Sequence, residues 1–102
     1  MFDIKKRDGS YYPFDKSRII TAINKAFLEV DGQIYETDTA EDIADDIYCH
    51  LIADPSKRNV EDIQDLVEQY LMKSTRTDVA KAYIRYRYKK EVRRTIKWNI
   101  GV

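Results

Sequence analysis

Three cations stand where this chain could grip an anion. Lys6 and Arg7 run into Asp8-Gly9, a strong turn signal because glycine tolerates positive φ and aspartate bonds its own backbone. Arg18 follows in the first turn of a predicted helix whose N-cap is Asp15. Cations beside a helix N-terminus, where backbone amides also point outwards, suit a polyphosphate. The remaining chemistry-bearing residues give little. A phosphate loop of the Gly-x-x-x-x-Gly-Lys-[Ser/Thr] kind does not occur among the three glycines. The one histidine, His50, and the one cysteine, Cys49, cannot complete a zinc site, a triad or an internal disulfide. Asp45 and Asp46 are adjacent on a helix, so they diverge and read as a solvated face. Cys49 is expected in the core and His50 at the surface or half-buried. The chain by itself is not expected to be a catalyst.

The elements that must position these cations can be read from the flanking pattern. Phe2 to Arg7 and Ser10 to Phe14 read as two short strands of a hairpin about Asp8-Gly9. Phe14 before the cap and Ile19 inside the helix fit a hydrophobic staple, which would fix the angle between hairpin and helix. Ile19, Ile20, Ala22, Ile23, Ala26, Phe27 and Val30 then form an apolar stripe that Asp31-Gly32 ends. After a loop over 33–38, Thr39-Ala40-Glu41-Asp42 resembles a capping box. The second helix carries Ile43, Ala44, Ile47, Tyr48, Leu51 and Ile52 on one face and stops at Asp54-Pro55. Ser56 to Val60 could add a third strand or an extended connector. A third helix begins at Glu61 with Ile63, Leu66, Val67, Tyr70 and Leu71 inward, and Ser74 to Thr77 break it. A fourth starts near Asp78 with Val79, Ala82, Tyr83 and Tyr86 on one side, and the tail from Trp98 to Val102 shows no periodicity. The predicted class is α+β, mainly α: a four-helix bundle capped by a small β-hairpin or three-stranded sheet.

At 102 residues the chain makes one domain. Its net charge of zero conceals an asymmetry: residues 31–72 hold twelve acids against two bases, and residues 73–102 hold ten bases against two acids. Two readings follow: an acidic and a basic helix packed as neighbours, or a basic patch for an anionic ligand. Tyr83, Tyr86 and Tyr88 interleave with Arg85, Arg87 and Lys89, a pattern that can stack bases. However, Tyr83 and Tyr86 share the face of Val79, which favours core packing and leaves Lys89 and Lys90 to face a ligand. A lone cysteine and the lack of any apolar run long enough for a membrane span or signal segment suggest a cytoplasmic chain.

Lys6-Arg7-Asp8-Gly9, with Phe14-Asp15 and Arg18-Ile19 after it, resembles the start of an ATP-cone. The runs Val60-Glu61-Asp62-Ile63-Gln64-Asp65-Leu66-Val67-Glu68 and Ala80-Lys81-Ala82-Tyr83-Ile84-Arg85-Tyr86-Arg87 are similar to that family's second and third blocks. The three blocks fall in the family's order from Ile4 to about Arg94. The resemblance implies a regulatory module over residues 1–97, with 98–102 as tail or linker start. It implies ATP or dATP as allosteric effector, with Mg²⁺, controlling the catalytic body of a ribonucleotide reductase through nucleotide-dependent homo-oligomerisation. Carried over by position, Lys6, Arg7 and Arg18 would meet phosphates, with Lys90 or its neighbour Lys89 reaching them from the fourth helix. Tyr12 to Asp15 would line the nucleoside with Phe14 against the base, Ile19 would pack on it, and Val60 would sit near base or sugar. Two positions depart from the family pattern: Tyr12 stands where some members carry a carboxylate, and Val60 where some carry a hydroxyl. The Phe14-Asp15 and Ala80-Lys81-Ala82-Tyr83-Ile84 spellings lean towards the anaerobic, class III type. Alternatives are the ATP-cone of a nucleotide-responsive transcriptional repressor and a helical nucleic-acid-binding module using the fourth helix. A plain helical interaction domain is a third. The repressor branch places a zinc ribbon ahead of its cone, so a chain that starts at the strand is expected with the reductases. No membrane partner is expected and nucleic acid is disfavoured.

Overall fold

The computed structural model describes residues 2–33, 38–74 and 76–100, with the side chains of the last helix described through Lys89. Asp8-Gly9 closes a hairpin as predicted. Gly9 sits at φ +90° and its amide donates to the Lys6 carbonyl at 3.0 Å. The Asp8 carboxylate accepts from the Ser10 amide at 2.9 Å and from its hydroxyl at 2.6 Å. The turn pairs β1 (Asp3–Lys5) antiparallel with β2 (Tyr11–Pro13), Ile4 opposite Tyr12. The strands are shorter than the expected flanks, and no third strand forms beside them among the described residues. In its place the segment after Asp54 makes a single 3₁₀ turn, Pro55–Lys57, and only an isolated parallel bridge joins Lys5 to Asn59. The cause is local: the Asp54 carboxylate accepts from the Ser56 amide and hydroxyl and curls the chain before it can extend.

Four helices follow: α1 (Lys16–Asp31), α2 (Asp38–Ala53), α3 (Val60–Lys73) and α4 (Thr77–Ile100). Asp15 caps α1 by accepting from the Ser17 amide, and Gly32 ends it at φ +78° with its amide on the Leu28 carbonyl. α2 begins at Asp38, so Thr39 stands inside the first turn instead of ahead of it. Most of the loop expected before it, 34–37, lies outside the described residues. α3 begins one residue earlier than predicted because Asn59 caps it reciprocally. The Asn59 Oδ1 accepts from the Asp62 amide at 2.9 Å, and its Nδ2 donates to the Asp62 carboxylate at 2.6 Å. α4 runs on to Ile100, through residues expected to form part of an aperiodic tail.

The helices meet in a ring, α1 against α2 and α4, and α3 against α2 and α4. Ile23, Ile47, Leu51, Val67, Leu71 and Val79 are fully enclosed at the centre, each contributing about 1.5–3 kcal/mol by leaving water. Ile4 is buried to 1% and pins the hairpin on the bundle. Two residues expected inside are not: Cys49 is exposed and Ile52 is 51% exposed. Each follows its buried neighbour, Ile47 or Leu51, by one or two positions, which rotates it about 100–200° off the apolar stripe. The acidic and basic helices do pack as neighbours. Arg87 of α4 reaches Glu61, Asp65 and Glu68 of α3, each at 2.8 Å.

Candidate functional site

The hairpin and three of the helices enclose a cleft of about 670 Å³, within the range of small-molecule sites. Strand geometry aims the first residues into it. Ile4 and Tyr12 are paired directly across the hairpin, so they leave by one face, and Lys6, two residues beyond Ile4, follows them. Ile4 goes into the core. The Tyr12 ring lies between two cations, with the Arg18 guanidinium 4.6 Å and the Lys6 ammonium 5.4 Å from its centroid. Those contacts hold both cations against an aromatic face at a separation where cation–π attraction operates.

Helical spacing builds the walls. Arg18, Ala22 and Lys25 recur at steps of four and three along α1, and Val60, Ile63, Gln64 and Val67 do so along α3. Tyr83 and Tyr86 of α4 close the side between them, with the Lys25 ammonium 5.8 Å from the Tyr86 ring. Ile19, Ile63, Val67 and Tyr83 are buried members of the core that also line the cleft. The lining therefore combines an apolar floor with four cations, Lys6, Arg7, Arg18 and Lys25, and one carboxylate, Asp8. Asp8 is already committed to Ser10, whose hydroxyl and amide hold its carboxyl below the usual aspartate range.

Arg7 occupies a junction. Its Nε donates to Glu61 Oε1, and its Nη2 donates to Gln64 Oε1 at 2.9 Å. The other oxygen of Glu61 accepts from Arg87 Nη2 at 2.8 Å. Partial burial raises the Glu61 carboxyl, but hydrogen bonds from Arg87 and Arg7 outweigh that and hold it below its usual value. Burial pushes the Tyr83 hydroxyl well above its ordinary range, so it is a neutral phenol at any working pH.

Six of the residues singled out by sequence line this one cleft: Lys6, Arg7, Tyr12, Arg18, Ile19 and Val60. Phe14 and Asp15 do not. They border a separate depression with Phe2, Lys16 and Tyr48. Phe14 packs edge-on to Phe2 at 5.2 Å and to Tyr48 at 5.6 Å. Asp15 gives its carboxylate to the Ser17 amide and hydroxyl. Phe14 continues the ladder, its amide on the Phe2 carbonyl at 3.0 Å, but it stands at the far end of the hairpin, with the Ile4–Tyr12 pair between it and Lys6. The Lys90 side chain lies outside the described residues, and Lys89 is exposed. Gln64, Lys25, Tyr83 and Tyr86 were not singled out for this site, although Gln64 stands four residues from Val60 and Lys25 seven from Arg18, the helical steps that would have found them.

The cleft offers cations, an apolar surface and neutral hydrogen-bonding groups. Among the described residues no group of three or more His, Cys, Asp or Glu could hold a metal ion, and no helix is long and apolar enough to cross a membrane. Comparison with known proteins adds the family signal. Residues 2–92 match the family described as ATP cone domain. The chain is 43% identical to the vitamin B12-dependent ribonucleoside-diphosphate reductase of Thermoplasma acidophilum, over 98% of this chain and 13% of that protein. It is 35% identical to the anaerobic ribonucleoside-triphosphate reductase of Haemophilus influenzae, over 91% of this chain and 13% of the relative. It is 37% identical to the vitamin B12-dependent reductase of Mycobacterium tuberculosis, over 97% of this chain and 14% of the relative.

Proposed function

The chain belongs to the ATP-cone family, and on that premise we propose that it is the allosteric nucleotide-binding module that sets the overall activity of a ribonucleotide reductase. The observation that carries this reading is the convergence of Lys6, Arg7, Arg18 and Lys25 on one apolar cleft between hairpin and bundle. ATP and dATP fit such a lining. A triphosphate with roughly four negative charges meets cations that each contribute about 1.5–3 kcal/mol per charge-assisted bond. The purine has an apolar surface in Ile19, Val60 and Ile63. Lys6, Arg7 and Arg18 would take the phosphates, and Tyr12 would stand beside the nucleoside. Lys90, four residues beyond Tyr86, would add a cation from α4. Phe14 and Asp15 would act from behind, holding hairpin and α1 in place. Any Mg²⁺ would arrive with the triphosphate. The module would span residues 1–97, and α4 carries the chain on towards 98–102 without a break.

ATP and dATP differ by one ribose hydroxyl, so the switch needs a state in which that difference changes affinity. In this reading dATP favours an association of cones, or of cone with catalytic body, that ATP does not. Sedimentation showing one mass under both nucleotides would count against association through the cone. The chain spans about an eighth of the relatives it matches, and the catalytic body is proposed from them. The Phe14-Asp15 spelling leans to an anaerobic body, while 43% identity to a B12-dependent relative against 35% to the anaerobic one favours the B12-dependent type as a second reading. A repressor's cone is disfavoured by the reductase names of those relatives. The nucleic-acid reading loses cations it needs, because Arg87 and Arg85 are held by acids of α3 and α1.

Calorimetric titration with MgATP and MgdATP tests the proposal. Micromolar binding that Lys6→Ala weakens by about 1 kcal/mol or more is expected. An absence of heat and of thermal shift with both nucleotides, well above millimolar, overturns it.

A further inference from the structure

We infer that Glu61 is an internal stand-in for the nucleotide's phosphate: it competes for Arg7 and passes the outcome to Arg87 on α4. This rests on the nucleotide reading of the cleft. The geometry is a shared carboxylate. One Glu61 oxygen takes Arg7 of the hairpin and the other takes Arg87 at 2.8 Å, while Arg87 also grips Asp65 and Glu68. Arg7 lines the cleft; Glu61 does not, so the carboxylate approaches the guanidinium from outside the cleft. Glu61 is 47% exposed and Arg7 23%, and an ion pair so close to water is weak. A triphosphate entering the cleft presents more charge to the same guanidinium and can displace the carboxylate.

Displacement has a direction. Glu61 released from Arg7 keeps Arg87, and its whole charge falls to that partner. The hairpin then loses one of its ties to the start of α3, keeping those through Gln64 and Asn59, and the change reaches α4 through Arg87. The two arginines are 80 positions apart in sequence and meet on this one carboxylate. Removing this carboxylate should therefore tighten nucleotide binding and cut the link to α4 together. General electrostatics predicts the first effect but not the second, and does not require Arg7.

The experiment is a double-mutant cycle on the 102-residue chain, titrated with MgATP by calorimetry: wild type, Glu61→Gln, Arg7→Ala and the pair. Glu61→Gln is expected to bind about fivefold tighter, the ratio given by a surface ion pair of ~1 kcal/mol. In the Arg7→Ala background the same change should alter affinity less than about twofold. In parallel, the Arg87 side-chain Nε–H resonance should shift on saturation in the wild type and stay put in Glu61→Gln. Glu61→Ala, checked by circular dichroism, should repeat the gain without an amide in place of the acid. Wild type that binds while Glu61→Gln is no tighter overturns the competition alone, as does a gain that survives in Arg7→Ala. A stationary Arg87 resonance in the wild type overturns the link to α4. Absence of binding by every variant overturns the nucleotide reading and this inference with it.

Discussion

Replacing Arg87 by alanine tests the electrostatic seam between α3 and α4. The Arg87 side chain is 16% exposed and spans Glu61, Asp65 and Glu68, each at 2.8 Å. Glu61 and Asp65 are 47% and 54% exposed, so their pairs are worth about 0.2–1 kcal/mol each, with Glu68 at 26% towards the upper end. Without the guanidinium, Glu61/Asp65 and Asp65/Glu68 become like-charge neighbours one turn apart, each costing about 0.2–0.5 kcal/mol. Lost packing of the arginine stem adds to this. Together these give a destabilisation of about 2–3 kcal/mol, or a fall of roughly 1–2 M in the urea midpoint. Arg87→Met keeps the stem and loses the charge, so it should recover part of the loss. In ~1 M NaCl, where the screening length falls to about 3 Å, the repulsive part should shrink. A loss below ~0.5 kcal/mol, or one indifferent to salt, would falsify the view that this seam is held by charge.

Two further outcomes follow from local geometry. Gly32→Ala should lower stability by about 1–2 kcal/mol in thermal unfolding, since Gly32 ends α1 at φ +78° and an added Cβ meets nothing within 4 Å, which leaves backbone strain as the whole cost. Gly32→Asn should lose less, and equal losses would contradict that cause. On acidification, Asp8, Asp15, Asp54 and Asp78 are all held below the ordinary aspartate value of 3.8, the first three chiefly by a serine two residues on and Asp78 by Arg76. A folded value below the unfolded one means the stabilisation is complete above 3.8 and is lost as the pH falls through the lower folded values. Melting temperature should therefore hold from neutral pH to about 5 and drop below about 4; a rise on acidification would exclude the cause given.

What could be read in the sequence was what neighbours along the chain decide. The Asp8-Gly9 turn, the Asp15 cap and the Gly32 stop each depend on residues within a few positions, and each is where it was expected. Helical stripes located most of the core for the same reason. The errors share a different origin. Asn59 caps α3 because it can bond Asp62 both ways, an option the acidic run at Glu61 obscured. Phe14 reads as a base-stacking ring until the hairpin register sets it opposite Phe2, at the end away from Lys6, where Tyr48 of α2 meets both rings. The helical steps from Val60 to Gln64 and from Arg18 to Lys25 were legible, but that both faces open on one cleft follows from the convergence of α1, α3 and the hairpin, which no window of one segment contains.

The same convergence explains how a chain of zero net charge can present a cationic site. Two of the four α4 bases described with their side chains face acids of other helices, Arg87 on α3 and Arg85 against Glu29 of α1, and Arg76, just ahead of α4, pairs with Asp31 of α1 and with Asp78. Those pairings offset part of the acidic and basic blocks within the bundle. Lys6 and Arg7 of the hairpin and Arg18 and Lys25 of α1 belong to neither block, and they line the cleft. At Arg7 the two systems touch, because Glu61 belongs to the acidic helix and reaches across to the hairpin. A polyphosphate would thus meet a local field set by a few unbalanced side chains, within about one screening length of a nearly neutral bundle. Total charge is the wrong quantity for judging such a site. The sign of the side chains that share one cleft decides it, and here that sign is positive.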